Sequence, residues 1–370
     1  MTPTVHHYFP KNSSNVGDTL VAHAIQQALR RHFGKLEFVN IAVNDRFKKD
    51  GQQTTGLLGQ NIIRTNREAD FVVVGGSNLL EPRKVSRGKP VFHWGIQTNV
   101  EALERLHVPV LLLGMGTGSD WGQPIRSYSS QAKLEVQLLH RKAFAAAVRD
   151  MPTKVELAKI QVQVECTGCP VTFLTDRPIA KNDQLKALMV SMPPARILKT
   201  WSGKWFMLQT INYVRWLQSE AIPFVITLHE RADLDFAPHW IPPGIPVFYT
   251  EDVPELIERY EDSCGVIGFR LHAALLGLGL GKPIIPVNVD WRGRAFSQTY
   301  ALDAMALEPG KWGHFKRLKR QTTQLLNGDS TLYTTLNAQK QIFLNRYHQF
   351  LSQAATNYLR GSTQLHSAVA

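Results

Sequence analysis

The sequence predicts an α/β protein of two Rossmann-like domains facing one another across a cleft, with a helical tail at the C-terminal end. Three observations predict it. Short apolar runs alternate with amphipathic stretches, the pattern of parallel strands buried on both faces and joined by helices. The alternation pauses at a polar, proline-bearing segment, Asp176 to Asp183, and then restarts. The chain has 370 residues, 44% apolar and 19% charged, which suits about two domains and excludes a disordered chain.

The elements follow in order. Thr19 to Phe33 carries apolar residues at 20, 21, 24, 25, 28, 29 and 33, a helix with one greasy face. Phe71 to Val74, Val108 to Leu113, Ala145 to Val148 and Val162 to Glu165 read as buried strands, each closed by a turn or a charged pair. After the linker come strands at Leu188 to Met192, Phe224 to Leu228, Val247 to Tyr249, Gly265 to Phe269 and Pro283 to Val287. Helices are expected at Trp205 to Ser219, Pro254 to Tyr260 and Leu271 to Leu280, and a long one over 332–359. The expected division is residues 1–176, 184–310, and a basic segment with the C-terminal helix over 311–370.

Forty-two Lys and Arg against 30 Asp and Glu give a net charge of +12, which favours polyanionic partners. Basic residues cluster at Arg83, Lys84, Arg87 and Lys89, and again at Lys311, Lys316, Arg317, Lys319 and Arg320 with Trp312 and Phe315 between them. No nucleic-acid module accompanies them, so nucleic acid is not an expected partner. A solvated basic face, or peripheral contact with an anionic membrane, is. Leu271 to Val287, the longest apolar run, is broken by Lys282 and Pro283, and Met1 to Pro10 lacks the apolar core of an export signal. Three cysteines make no disulfide framework. A cytoplasmic protein, peripheral at the inner face of the membrane, is the expectation.

Strand ends are where an open α/β sheet binds ligands. Asn15, Gly17 and Asp18 lie in a polar loop entering the first helix, where Gly17 permits close approach and Asp18 either caps the helix or meets a ligand. Gly75, Gly76, Ser77 and Asn78, and then Gly114, Gly116, Thr117 and Gly118, follow buried strands and line the same edge. Neither loop has the spacing of a dinucleotide fingerprint or a P-loop. Arg270 ends a buried strand and His272 opens the next helix. They are either an anion fork beside a proton carrier or a structural arginine with a satisfied histidine. Arg149, Arg196 and His229 also fall just past strands, whereas His6 and His7 have no visible partner. Cys166 and Cys169 form a CxxC without a second pair, and Cys264 is remote, so buried thiols rather than a metal site are expected.

Together, Asn15-x-Gly17-Asp18, Asp70 to Ser77 with its Gly75-Gly76, Gly114-x-Gly116, Val148-Arg149-Asp150, Thr167-Gly168-Cys169-Pro170, Arg270-Leu271-His272 and the Gly281-Lys-Pro-Ile-Ile-Pro segment resemble the polysaccharide pyruvyl transferase family over roughly residues 12 to 305. The family is similar to two-domain glycosyltransferases of the GT-B type. The resemblance implies transfer of the enolpyruvyl group of phosphoenolpyruvate to saccharide hydroxyls. The product would be a pyruvate ketal on a cell-surface glycan or exopolysaccharide unit, with a lipid-linked acceptor and no cofactor or metal. It implies donor contacts from Arg270, Arg149, Arg196, Arg292 and Arg294 in the second domain and around it, His272 as general acid, and Asp18 as base or orienter. The first domain would take the acceptor.

The chain departs from the family where Cys169 stands in place of a common aspartate, and where Trp291, Arg292 and Arg294 stand in place of a Tyr and a Lys. The alternative is a glycosyltransferase of the same architecture using a nucleotide sugar, for which Glu230 or Glu251 would have to read a ribose. A non-catalytic binding module has no evident need for both Arg270 and His272.

Overall fold

The computed structural model describes residues 2–11, 13–43, 56–83, 93–118, 126–181, 186–309 and 313–367. Lys84, Arg87, Lys89, Lys311 and the interleaved Trp312 of the two clusters, and Asn182 and Asp183 of the linker, lie outside them.

The first sheet is formed by β1 (Thr4–Phe9), β2 (Glu37–Ala42), β3 (Phe71–Gly75), β4 (Val110–Met115), β5 (Ala143–Val148) and β6 (Glu165–Cys166). All its pairings are parallel, and the spatial order is β2-β1-β3-β4-β5-β6. Helices α1 (Val16–Phe33), α2 (Gly59–Glu68), α3 (Val100–Glu104), α4 (Ser130–Arg141) and α5 (Met151–Ala158) connect the strands. Every residue of β3 and of β4 is buried, as runs covered on both faces require.

Strand β1 was not expected, because two histidines interrupt its apolar run. The fold supplies the partners that their sequence context hides. His6 Nδ1 lies 2.9 Å from Thr65 Oγ1 and His7 Nδ1 3.1 Å from Gln26 Nε2. Both rings are fully buried in the sheet.

The second sheet holds β7 (Leu188–Ser191), β8 (Phe224–Leu228), β9 (Val247–Tyr249), β10 (Gly265–Gly268) and β11 (Ile284–Pro286) in the order β11-β10-β7-β8-β9, again all parallel. Its helices are α6 (Trp201–Ser219), α7 (Arg231–Trp240), α8 (Val253–Glu261), α9 (Leu271–Gly279) and α10 (Trp291–Thr299). Helix α11 (His314–Asn327) covers this sheet, with Leu325 packed on Gly265.

The long helix α12 (Ser330–Ser367) then returns to the first sheet. Its Tyr358 ring lies 4.9 Å from Phe71 and 6.1 Å from Phe33, and its His348 Nδ1 lies 2.9 Å from His32 Nε2 at the end of α1. On the way, Asn337 exchanges two hydrogen bonds with the backbone of Ile179, and Lys340 Nζ donates to Arg177 O at 2.7 Å. The tail thus grips the segment that joins the two sheets.

Buried histidines give the fold a pH dependence. Burial lowers His7 and His229 from 6.5 to about 3, and His140 to about 4. Unfolding lets each take up a proton below its ordinary value, so stability is complete above about pH 6.5 and declines as pH falls toward 3 to 4. Urea denaturation is expected to show a loss of up to about 2 kcal/mol per such histidine between pH 7 and pH 5. An unchanged midpoint over that interval would contradict it.

Candidate active site

Each sheet has one place where the strand order reverses. In the first it lies between β1 and β3, and in the second between β7 and β10. Ligands of such sheets sit beyond the carboxyl ends of the strands at these reversals. Here the two reversals face each other. Asn15 forms an antiparallel bridge with Glu230, and Val16 N donates to His229 O at 3.2 Å.

Gly17 lies directly under the imidazole of His272: a Cβ there would sit 1.8 Å from His272 Nδ1. That contact explains why the first loop carries a glycine. The cap of α1 is Asn15, whose Oδ1 accepts from Gly17 N at 2.9 Å. Of the two roles open to Asp18, capping therefore falls to its neighbour. Asp18 occupies the first turn with its carboxyl buried. Burial raises its pKa, against hydrogen bonds from Ser13 and Ser77 and the charges of Arg292 and Arg149. Ser77 has a left-handed backbone, φ 58°, a conformation costly for a side-chain-bearing residue and one that strained functional loops adopt.

Arg149, at the end of β5, is buried, donates through Nη2 to Asn78 Oδ1, and lies with Nε 3.5 Å from Asp150 Oδ2. Gly116 makes room for it, since a Cβ there would meet Nε at 2.6 Å. Gly75 abuts Leu113 O, Gly76 abuts Val21, and Gly114 faces the ring of Pro170, so these three shape the strand ends and the TGCP turn. From the other side, Arg292 Nε donates to Asp290 Oδ2 at 2.9 Å, and its Cγ lies 3.0 Å from where a Cβ on Gly118 would be. Arg149 and Arg292 thus flank Asp18 and His272 from opposite sheets, and both lower the pKa of both groups.

Arg270 is held by carboxylates of its own domain. Its Nη1 donates to Glu230 Oε1 at 2.6 Å, its Nη2 to Asp233 Oδ2, and its Nε to Met192 O at 3.2 Å. Its donors thus meet two carboxylates and a carbonyl. Burial pushes Glu230 up, but Arg270 and Arg196 outweigh it and hold that carboxyl below its usual range. Asp233 is raised by burial.

Arg196 bridges Glu230 and Asp290 at 3.5 Å each. Arg294 is turned away from this cluster, half-exposed, with Nε 3.5 Å from Glu308. His229 is buried with Nε2 2.9 Å from Tyr260 OH, and its Nδ1 meets no hydrogen-bond partner among the described residues.

Burial above all, then Arg292 and Arg149, holds His272 well below the ordinary histidine value. A lowered pKa leaves this imidazole neutral at pH 7. Cys166 and Cys169 are buried thiols pushed up to about 12 and about 11, which leaves them unreactive. Cys169 N donates to Tyr300 OH at 3.2 Å, so the first sheet's TGCP turn is clamped from the second.

Asp233 and Asp290 were missed as site residues, and Glu230 was considered only as a ribose reader. The Glu230-x-x-Asp233 spacing just after a strand was the available signal, because it forms the capping box of α7.

Two parallel sheets joined at facing order reversals, with buried arginines, a carboxyl and an imidazole between them, define an α/β fold of the GT-B type. A family profile described as polysaccharide pyruvyl transferase matches residues 15–290, and the chain belongs to that family. No curated protein matches the sequence. Among solved structures, the UDP-GlcNAc 2-epimerase of Neisseria meningitidis bound to UDP-GlcNAc is similar at 11% identity and TM-score 0.51, with 98% of this chain and 100% of that chain covered. The S. aureus MnaA–UDP complex is similar at 14% identity and TM-score 0.50, covering 91% of each chain. At these identities the likeness is one of fold.

Proposed function

We propose that the protein transfers the enolpyruvyl group of phosphoenolpyruvate to two hydroxyls of a saccharide, forming a pyruvate ketal and releasing phosphate. The observation that carries this reading is the seating of His272 on Gly17, beside Asp18 and between Arg149 and Arg292. The donor's phosphate and carboxylate suit those two arginines, and Arg196 is the third cation of the cluster. Arg270 acts at one remove, holding Glu230 and Asp233.

The donor is strongly anionic, and its charge beside His272 offsets the arginines that keep the ring neutral. His272 then takes up a proton and delivers it to the methylene carbon of the donor, leaving a cationic centre at the adjoining carbon. One sugar hydroxyl attacks that centre and gives its proton to Asp18, which burial makes a stronger base than an exposed aspartate. A second hydroxyl displaces phosphate, which leaves with the other hydroxyl proton, and closes the ketal. Two sheets bring donor and acceptor to one point, which supplies the orientation.

A polysaccharide repeat unit on a lipid carrier is the acceptor class we favour, because the family name specifies a polysaccharide. The nucleotide-sugar alternative would need a carboxylate for a ribose. Glu230 is engaged by Arg270 and Arg196, and Glu251 accepts from Tyr249 OH at 2.7 Å.

The test is phosphate release from phosphoenolpyruvate with a panel of sugars and sugar diphosphates as acceptors. Acceptor-dependent release is expected. Turnover that requires a nucleotide sugar and ignores phosphoenolpyruvate would reverse the reading.

A further inference from the structure

The outer face of α6 is unusual for a solvated helix. Trp201, Trp205 and Leu208, at positions i, i+4 and i+7, form one stripe and are 84%, 59% and 47% exposed. Exposed Lys204 and Arg215 border them, and no Asp or Glu occurs between Trp201 and Ser219. Helix α11 packs alongside through Tyr213 OH and Thr322 Oγ1, 2.8 Å apart. Between His314 and Asn327 it too lacks any carboxylate, and it exposes Lys316 and Arg320. Lys319 joins the two helices, its Nζ 5.1 Å from the centroid of the Trp216 ring.

We propose that this face of α6 and α11 is a peripheral docking surface for a bilayer that contains acidic phospholipids. Tryptophan is the side chain that settles at the headgroup level, and flanking Lys and Arg are drawn to anionic lipid. Charge complementarity selects the occupant: two adjoining helices without a carboxylate fit an anionic plane and repel a second copy of themselves. No helix among the described residues is long and apolar enough to cross a membrane, so the contact is one of lying on the surface. The short helical turn Ala195–Lys199 leads straight into α6, and its Arg196 contacts Glu230 and Asp290 of the site. Docking would therefore hold the cleft close to a membrane-borne acceptor. The basic stretch alone carried the sequence expectation of membrane contact, and the tryptophan stripe is the structure's addition.

The test is co-sedimentation of the full chain with neutral phosphatidylcholine vesicles and with vesicles containing phosphatidylglycerol, at low and raised salt. Binding to the acidic vesicles is expected, weakened by salt, with tryptophan emission quenched by brominated acyl chains. Trp201→Ser with Trp205→Ser should lower partitioning at least about tenfold without moving the thermal midpoint, since both side chains are exposed. Lys204→Gln, Lys316→Gln and Arg320→Gln together should lower it roughly a hundredfold on acidic vesicles.

Equal sedimentation with neutral and acidic vesicles would overturn the proposal, as would an unaffected tryptophan variant. So would a dimer in solution that the tryptophan variant dissociates, or retention on nucleic acid in place of vesicles. Vesicle binding is read without donor or acceptor, so its failure and that of the pyruvyl-transfer reading are separable.

Discussion

Phosphate release from phosphoenolpyruvate is expected to fall about 10²- to 10⁴-fold in a His272→Ala variant, the usual range for a proton-transferring side chain. The ring is the group of the cluster best suited to carry a proton to carbon, because it is buried beside two arginines and rests on a glycine. Burial, then the two arginines, lowers its pKa, and in the proposed reaction the anionic donor offsets them. Donor binding must therefore be accompanied by proton uptake, and donor affinity must weaken as pH rises. Calorimetry in two buffers of different ionisation enthalpy measures that uptake directly, and no uptake in the wild-type protein would remove His272 from the proton path. Gly17→Ala should reach a comparable loss from the opposite sheet, because the new methyl group would occupy the space of the imidazole. A Gly17→Ala protein with full activity would show that the ring does not work from this position.

Arg270→Met is expected to destabilise the fold by about 3 kcal/mol, because it strips the cation from the buried Asp233 and the partly buried Glu230. The effect has a pH signature. Arg270 helps hold the Glu230 carboxyl below its ordinary 4.5, so its contribution is present above that value and is lost as pH falls through the lowered one. The deficit of the variant should therefore be greatest at neutral pH and shrink in acid. Glu230→Gln and Asp233→Asn added to Arg270→Met should recover much of the loss, since the buried charges leave with their partner. If Arg270→Met instead left the denaturation midpoint unchanged and only raised the KM for phosphoenolpyruvate, the residue would be a donor ligand after all.

Much of the fold was legible because buried parallel strands leave a local trace. Strands β8 and β9 fall on the expected residues, and β3 and β7 end within one residue of them. Strand β1 was hidden by His6 and His7, polar letters whose partners Thr65 and Gln26 are remote in sequence or on another element. Strand β2 left only a weak trace, being a partly exposed edge. The site was legible as a set of positions more than as a set of roles. The structure brings Asn15, Gly17, Asp18, Arg149, Arg196, His229, Arg270, His272 and Arg292 to the junction, because strand ends at order reversals must converge.

Which arginine is taken by which carboxylate is tertiary information. Arg270 meets Glu230 and Asp233 from 40 and 37 residues away, and Arg294 turns outward to Glu308. A stretch that reads Asn-Val-Gly-Asp contains two residue types that cap helices equally well, and only the backbone angles assign the cap to Asn15.

Helix α1 starts under His272 and ends against α12, with His32 on His348 and Phe33 beside Tyr358. Eighteen residues of α-helix make a rod of about 27 Å. One stiff element therefore spans from the imidazole to the terminal helix, so the seat of Asp18 is set by packing at both of its ends.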